Sequence, residues 1–307
     1  LRLHNSNRLR VAAIDFLNPA PLMWDFEHPP LNAVLRERYD IRYTQPSMCA
    51  EDLLAGRADL GLIPIAALTS QLAVIPGCTI ASLDRVRSIQ LIVKQIKQVK
   101  NIKHVKQEPG GHQDSAQILQ QVRTIAADTA SRSSLAYAQI LFRKFLGTDP
   151  EFLPAAADPI AMLALADAAL LIGDPALLAL ESRDRIEQEA GPCLWLDLAH
   201  EWCTRTSLPW VAAVWAVQPE AVALSSIGAA QLIEDLQQSR NHGLDHIDSL
   251  VAEWTPRIAI PPTTIQHYLT RNIHYTLSPS CIAAIELFRR YASEADILPP
   301  LAPLHFL

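Results

Sequence analysis

Short apolar runs alternate along the chain with polar stretches compatible with helices, and this alternation predicts the elements. Residues 9–16 (LRVAAIDF) form a β-prone run that ends in the turn-like Asn18-Pro19-Ala20-Pro21, and residues 39–43 form a second. Between them residues 31–38 suit a helix. Ser47 is placed to cap a helix that continues through Cys49, Leu53 and Leu54, with Glu51 near its first turn and Gly56 as its terminator. Residues 59–65 (DLGLIPI) are almost continuously apolar, as expected of a strand buried on both faces. Further strands are predicted at 78–81, 88–93, 124–127, 152–154, 168–172 and 210–217. One helix runs from Ser131 through Leu135, Ile140, Leu141 and Phe145 to Gly147, with apolar spacing near 3.6, and another covers 160–165. After Pro219 the pattern is helical, broken at Pro256 and at Pro261-Pro262, and the last strong helix spans 279–292. Strands that alternate with helices in this way define an α/β fold.

Composition narrows the picture. With 307 residues, 50% hydrophobic and 19% charged, the chain can bury a large core, and its size suggests two lobes. The net charge of -6 argues against a general nucleic-acid binder, which needs a basic face, but leaves room for a small anionic ligand. No apolar run is long enough to span a membrane, and residues 1–10 are polar without the apolar core of a secretory signal, so the chain reads as cytoplasmic. Cys49, Cys78, Cys193, Cys203 and Cys281 are widely spread with no CxxC pair, which fits reduced structural thiols rather than a disulfide frame or a zinc site. Lys94, Lys97, Lys100, Lys103 and Lys106 recur at every third position in an imperfect triplet repeat, read here as a solvated, expanded crossover loop.

Four segments place polar residues just past predicted strand ends, where ligands bind in open α/β sheets. They are residues 15–22 (DFLNPAPL), 56–64 (GRADLGLIP), 127–134 (ADTASRSS) and 171–177 (LIGDPAL). In the third, hydroxyls and backbone N–H groups gather at a helix start, an arrangement suited either to an anion or to simple capping by Ser131 or Thr129. Asp128 either orients these hydroxyls or pairs with Arg132.

Taken in order, DFLNPAPL, LLAGRADLGLIPIAAL, IASLDRVRSIQLIV, ADTASRSSLAYAQILF, ALLIGDPAL and LDLAHEWCTRTSLPWVAAVW resemble the chorismate dehydratases of the futalosine route to menaquinone. The likeness continues weakly in HYLTRNIHYTL, which contains Tyr268, while the lysine repeat departs from the family pattern. The resemblance implies a two-lobed periplasmic-binding-protein-like fold of the second type, with two crossing segments and a ligand cleft between the lobes. The first lobe would comprise residues 1–93 and 213–307, the second 94–212, with a lysine-rich insertion at about 94–112.

The implied reaction removes water from chorismate to give 3-[(1-carboxyvinyl)oxy]benzoate, with no metal or organic cofactor. Asn18 is the first candidate to touch the reacting ring, because its amide both donates and accepts, although a turn role before Pro19 accounts for it as well. Ser88 joins it as a catalytic candidate. Ser47 and Ser82 from the first lobe, and Thr129, Ser131, Arg132, Ser133, Gly173 and Asp174 from the second, are candidate substrate-binding residues. The base is open among Asp15, Asp174, His200 and the substrate's own enolpyruvyl carboxylate. Trp195, Trp202, Trp210 and Trp215 are read mainly as core residues, with Trp210 a candidate for the cleft wall. Two other activities share this fold: formation of 1,4-dihydroxy-6-naphthoate, which wants a roomier cleft, and non-catalytic binding of a small carboxylate. No nucleic-acid or membrane partner is expected, and the sequence leaves the oligomeric state open.

Overall fold

The apolar runs pair into two separate sheets in the computed structural model, which describes residues 8–95, 112–130, 132–300 and 302–307. In chain order the strands are β1 (Leu9–Ile14), β2 (Tyr39–Thr44), β3 (Leu60–Pro64), β4 (Ala73–Ser82), β5 (Ile89–Lys94), β6 (Thr124–Asp128), β7 (Glu151–Ala155), β8 (Ala168–Ile172), β9 (Cys193–Asp197), β10 (Trp210–Val217) and β11 (His274–Thr276). Six of them form one sheet, ordered β11-β4-β10-β3-β1-β2, and five form the other, ordered β7-β6-β8-β5-β9. The chain therefore changes sheets twice, between Ser82 and Ile89 and again between β9 and β10. Both changes fall a few residues before the sequence-based boundaries: β5 pairs with β8 and β9, and Trp210 already pairs with Ser82 of β4.

In the first sheet β1 runs parallel to β2 and β3, while β10 inserts antiparallel between β3 and β4. This central position explains its composition. Val211, Val214, Trp215, Ala216 and Val217 are completely buried, and burying each of the larger side chains is worth about 1.5–3 kcal/mol. In the second sheet β6 is parallel to β7 and β8, whereas β5 is antiparallel to β8 and β9.

Strand β4 starts earlier than the predicted 78–81, because Pro76 and Gly77, which read as a break, sit inside it. Its pairing with β10 shifts register around these residues, and Gly77 takes a φ of +97°, so the punctuation marks a bulge rather than an end. Ser47 does not cap its helix. The helix Pro46–Leu54 begins two residues earlier than a Ser47 cap would place it, with Gln45 at the cap position and Pro46 in its first turn. The helix Ser133–Ile140 continues into a π-type segment Leu141–Leu146 and stops at Gly147, whose φ of +67° fits its predicted role as terminator.

The crossing between the sheets is pinned by one carboxylate. Asp197 caps the helix Leu198–Thr206 through the N–H groups of Ala199 and His200, and also accepts from Val86 and Arg87 at 3.3 and 2.7 Å. That bonding holds residues 85–88 in a fixed path and so positions Ser88 at the start of β5. A second bridge is aromatic: Tyr137 packs on Phe288 of the C-terminal helix Pro279–Glu294 and on Trp202 and Trp210, and its hydroxyl donates to Val211 O at 3.1 Å. The five cysteines are free, four of them buried. Among the described residues no helix is long and apolar enough to cross a membrane. Of the lysine repeat, Lys94 ends β5, and Lys97 through Lys106 lie outside the described residues.

Candidate functional site

A small cavity, open to solvent, lies between the two sheets. Its walls come from strand ends of both sheets. Ile14 ends β1, Phe16 and Asn18 follow it, Pro64 ends β3, and Pro46 opens the neighbouring helix. From the other sheet come Ser88 and Ile89 at β5, Arg132, Ser133 and Ser134 after β6, and Ile172 and Gly173 at the end of β8. Ile80, Trp210, Ala212 and Ala213 complete the lining.

The turn after β1 shows how local sequence aims a side chain. Ala20 N donates to Leu17 O at 3.1 Å, so Asn18 and Pro19 form the centre of a tight turn. Asn18 is thus a turn residue and a cavity residue at once. Its Oδ1 is buried without a hydrogen-bond partner, which marks an atom available to a bound molecule. Ser88 is 1% exposed, its carbonyl accepts from Gly173 N at 2.8 Å, and its side chain lies near the buried Tyr268 hydroxyl. Tyr268, from the weakest part of the recognised pattern, is thus a neighbour of Ser88.

Ser133 has much of its hydrogen-bonding capacity in use. Its hydroxyl donates to Ala212 O at 3.0 Å and accepts from Ala66 N at 3.3 Å, stitching the helix start of one lobe to two segments of the other. Arg132 lines the cavity but pairs with Glu51 at 2.9 Å, not with Asp128. Asp128 instead accepts from Ala130 N in a two-residue turn, and burial raises its pKa.

The structure does not bring every candidate to this cavity. Ser47 sits one residue beyond Pro46, half-buried, and is not in the lining. Ser82 is buried at the sheet crossing, where its hydroxyl accepts from Asp84 N at 3.4 Å. Thr129 is exposed, and Ser131 lies outside the described residues. His200 pairs with Asp84 at 2.6 Å, and Asp15 pairs with Arg257 at 3.2 Å; neither lines the cavity.

Asp174 also stays out of the lining but fastens one lobe to the other, accepting from Leu17 N at 3.1 Å. Burial, the largest cause, pushes its carboxyl up to about 6, and the nearby Asp15 adds to the shift. That value lies above the ~3.9 of an unfolded aspartate, so the folded protein holds this proton more tightly than the unfolded chain. The group is accordingly least costly below about pH 4, and its contribution to stability falls as pH rises from about 4 to 6. Asp174→Asn keeps an acceptor for Leu17 and removes the charge. It should stabilise the protein by about 1 kcal/mol at pH 8, a figure reduced because the carboxylate is partly solvated, with the advantage vanishing near pH 4. Thermal melts of both proteins across that range measure it, and an advantage independent of pH contradicts this account.

Two α/β lobes joined by two crossings, with the cavity between them, define the periplasmic-binding-protein class of fold. Solved structures superpose on most of the chain. A protein of Archaeoglobus fulgidus aligns with a TM-score of 0.67 at 13% identity, covering 96% of this chain and 100% of its own. A Candida albicans gene product, described as having the generic periplasmic binding protein fold, gives 0.65 at 12% identity, covering 98% and 97%. The alkanesulfonate-binding protein of Xanthomonas axonopodis pv. citri, bound to MOPS, gives 0.60 at 16% identity, covering 95% and 94%. The chain belongs to the menaquinone-biosynthesis family, whose sequence model matches residues 9–294. A chorismate dehydratase of Thermus thermophilus is 26% identical over 289 residues, covering 90% of this chain and 94% of that relative.

Proposed function

We propose that this protein is a chorismate dehydratase, a hydro-lyase that makes 3-[(1-carboxyvinyl)oxy]benzoate for menaquinone synthesis. The observation that carries the reading is the inter-lobe cavity walled by Asn18, Ser88, Arg132 and Ser133, four of the residues the recognised motifs supply. Family membership and the Thermus thermophilus relative support it. In this reading each sheet with its helices forms one lobe, and the enzyme works in the cytoplasm on a small-molecule substrate without a cofactor.

The reaction breaks the C–H bond beside the ether and the neighbouring C–OH bond, and the electron pair left behind completes the aromatic ring. The proton and the hydroxide leave together as water. Among the described lining residues there is no carboxylate, imidazole or amine to accept the proton. The substrate's enolpyruvyl carboxylate is therefore the base, and the protein supplies orientation and hydrogen bonds to the departing oxygen. Asn18 is the group assigned to that oxygen: its side chain lines the cavity, its Nδ2–H can donate to the oxygen as charge develops, and its unpaired Oδ1 can accept from the hydroxyl before it leaves. Ser88, buried in the cavity wall, is assigned to the second carboxylate.

Purified protein mixed with chorismate should generate the aromatic product, followed by its ultraviolet absorbance and identified by mass. Absence of product, together with tight binding of another carboxylate or sulfonate, replaces this reading with that of a non-catalytic binding protein. Turnover of a larger precursor to dihydroxynaphthoate replaces it with the sister lyase.

A further inference from the structure

Trp210 occupies an unusual position for an indole. It begins β10 at the return crossing, is 1% exposed, and lines the cavity, yet its Nε1 has no hydrogen-bond partner. A buried indole N–H ordinarily finds an acceptor, because leaving it unpaired forfeits its hydration. Trp202 shows the ordinary case, donating to Pro209 O at 2.9 Å. Among the described residues with an orphaned buried side-chain polar atom, Asn18 and Trp210 line this cavity, and the other orphaned indole, Trp215, does not. One orphan is an acceptor and the other a donor.

The charge balance of the cavity adds a second argument. The substrate of the proposed reaction carries two carboxylates, whereas Arg132 is the one cation among the described lining residues and is already paired with Glu51. Neutral donors must therefore supply much of the carboxylate binding, and a buried N–H to an ionised oxygen is the stronger kind of hydrogen bond. We propose that the Trp210 indole N–H is a substrate-binding donor to a carboxylate of the ring compound in this cavity. The inference rests on the chorismate reading of the same site. The competing arrangement directs the N–H at the Tyr137 ring, whose centroid lies 5.6 Å from that of Trp210.

Two measurements on the full chain separate these possibilities. In protein carrying 15N-labelled indoles, the Trp210 resonance is assigned by its loss in W210F. Should that variant fail to fold, it is assigned by elimination from single Phe substitutions at the other tryptophans. Saturation with the product, 3-[(1-carboxyvinyl)oxy]benzoate, should move the Trp210 Nε1–H resonance downfield and leave that of Trp215 in place. In W210F, KM for chorismate should rise about 10-fold with kcat held within about threefold, the pattern of a lost binding contact. A Trp210 resonance unmoved by product, in a protein that turns over chorismate, overturns the inference and leaves the dehydratase reading standing. A downfield shift in a protein without turnover keeps the Trp210 contact and removes the dehydratase reading. Neither shift nor turnover removes both.

Discussion

Asn18→Ala is expected to lower kcat about 100-fold or more while leaving the melting temperature close to that of the parent. Its side chain emerges from the Leu17–Ala20 turn into the cavity, where Oδ1 has no partner within the protein. Truncation therefore breaks no bond through Oδ1 and removes a buried acceptor that the folded protein leaves unsatisfied, so stability should hold or rise slightly. The loss falls on catalysis because the amide is assigned to the departing oxygen, where charge develops in the transition state. Asn18→Asp is the sharper control. It preserves shape but replaces a two-way hydrogen-bonding group with a negative charge beside a doubly anionic substrate, so KM should rise as kcat falls. Steady-state kinetics and thermal melts on the same preparations check both variants. Full turnover in Asn18→Ala removes Asn18 from the chemistry.

What the sequence made legible was the part of the fold that is local. Strands β1, β3, β8 and β10 announce themselves because an apolar run without helical spacing has few alternatives, and all four are buried over most of their length. Strand β9 escaped the reading. Its CLWLD segment holds four consecutive apolar residues, too short a run to tell a strand from a turn of buried helix by periodicity, and it lies between two helices. The three-residue β11 is shorter still. In the site, segments after β1, β6 and β8 were found because ligands collect at strand ends, and those segments do supply Asn18, Arg132, Ser133 and Gly173 to one cavity. Ser82 and Thr129 belong to the same kind of segment, yet one turns into a buried crossing and the other into solvent. Which hydroxyl faces inward depends on turn geometry that residue type alone does not encode. The unpaired indole of Trp210 was beyond reach for a related reason: whether a buried donor is satisfied is a property of everything packed around it.

Gly173→Ala should reduce kcat/KM for chorismate about 100-fold, and the cause lies in the contact between lobes. Gly173 opens the helix after β8 with a φ of +61°, a conformation that costs an L-residue about 1–2 kcal/mol. An added methyl group would also stand 2.7, 2.8 and 3.0 Å from three carbons of the Phe16 ring, which belongs to the other lobe and lines the same cavity. A flexible ring can swing aside, so the fold survives at the cost of a few degrees in melting temperature. The cavity does not survive as well, because its geometry is tied to this point from three directions. Gly173 N donates to Ser88 O at 2.8 Å, Asp174 accepts from Leu17 N at 3.1 Å, and Phe16 lies two residues before Asn18. A displacement here moves Ser88 and the Asn18 turn together, and misplacement of about 1 Å suffices for a 100-fold effect. The cause can be separated from simple loss of packing with the double variant Phe16→Ala Gly173→Ala. If the clash is responsible, deleting the ring restores part of the activity, and the double variant outperforms Gly173→Ala alone. If the left-handed backbone is responsible, the double variant is worse than either single change, and the inter-lobe contact is not what sets the geometry of the site.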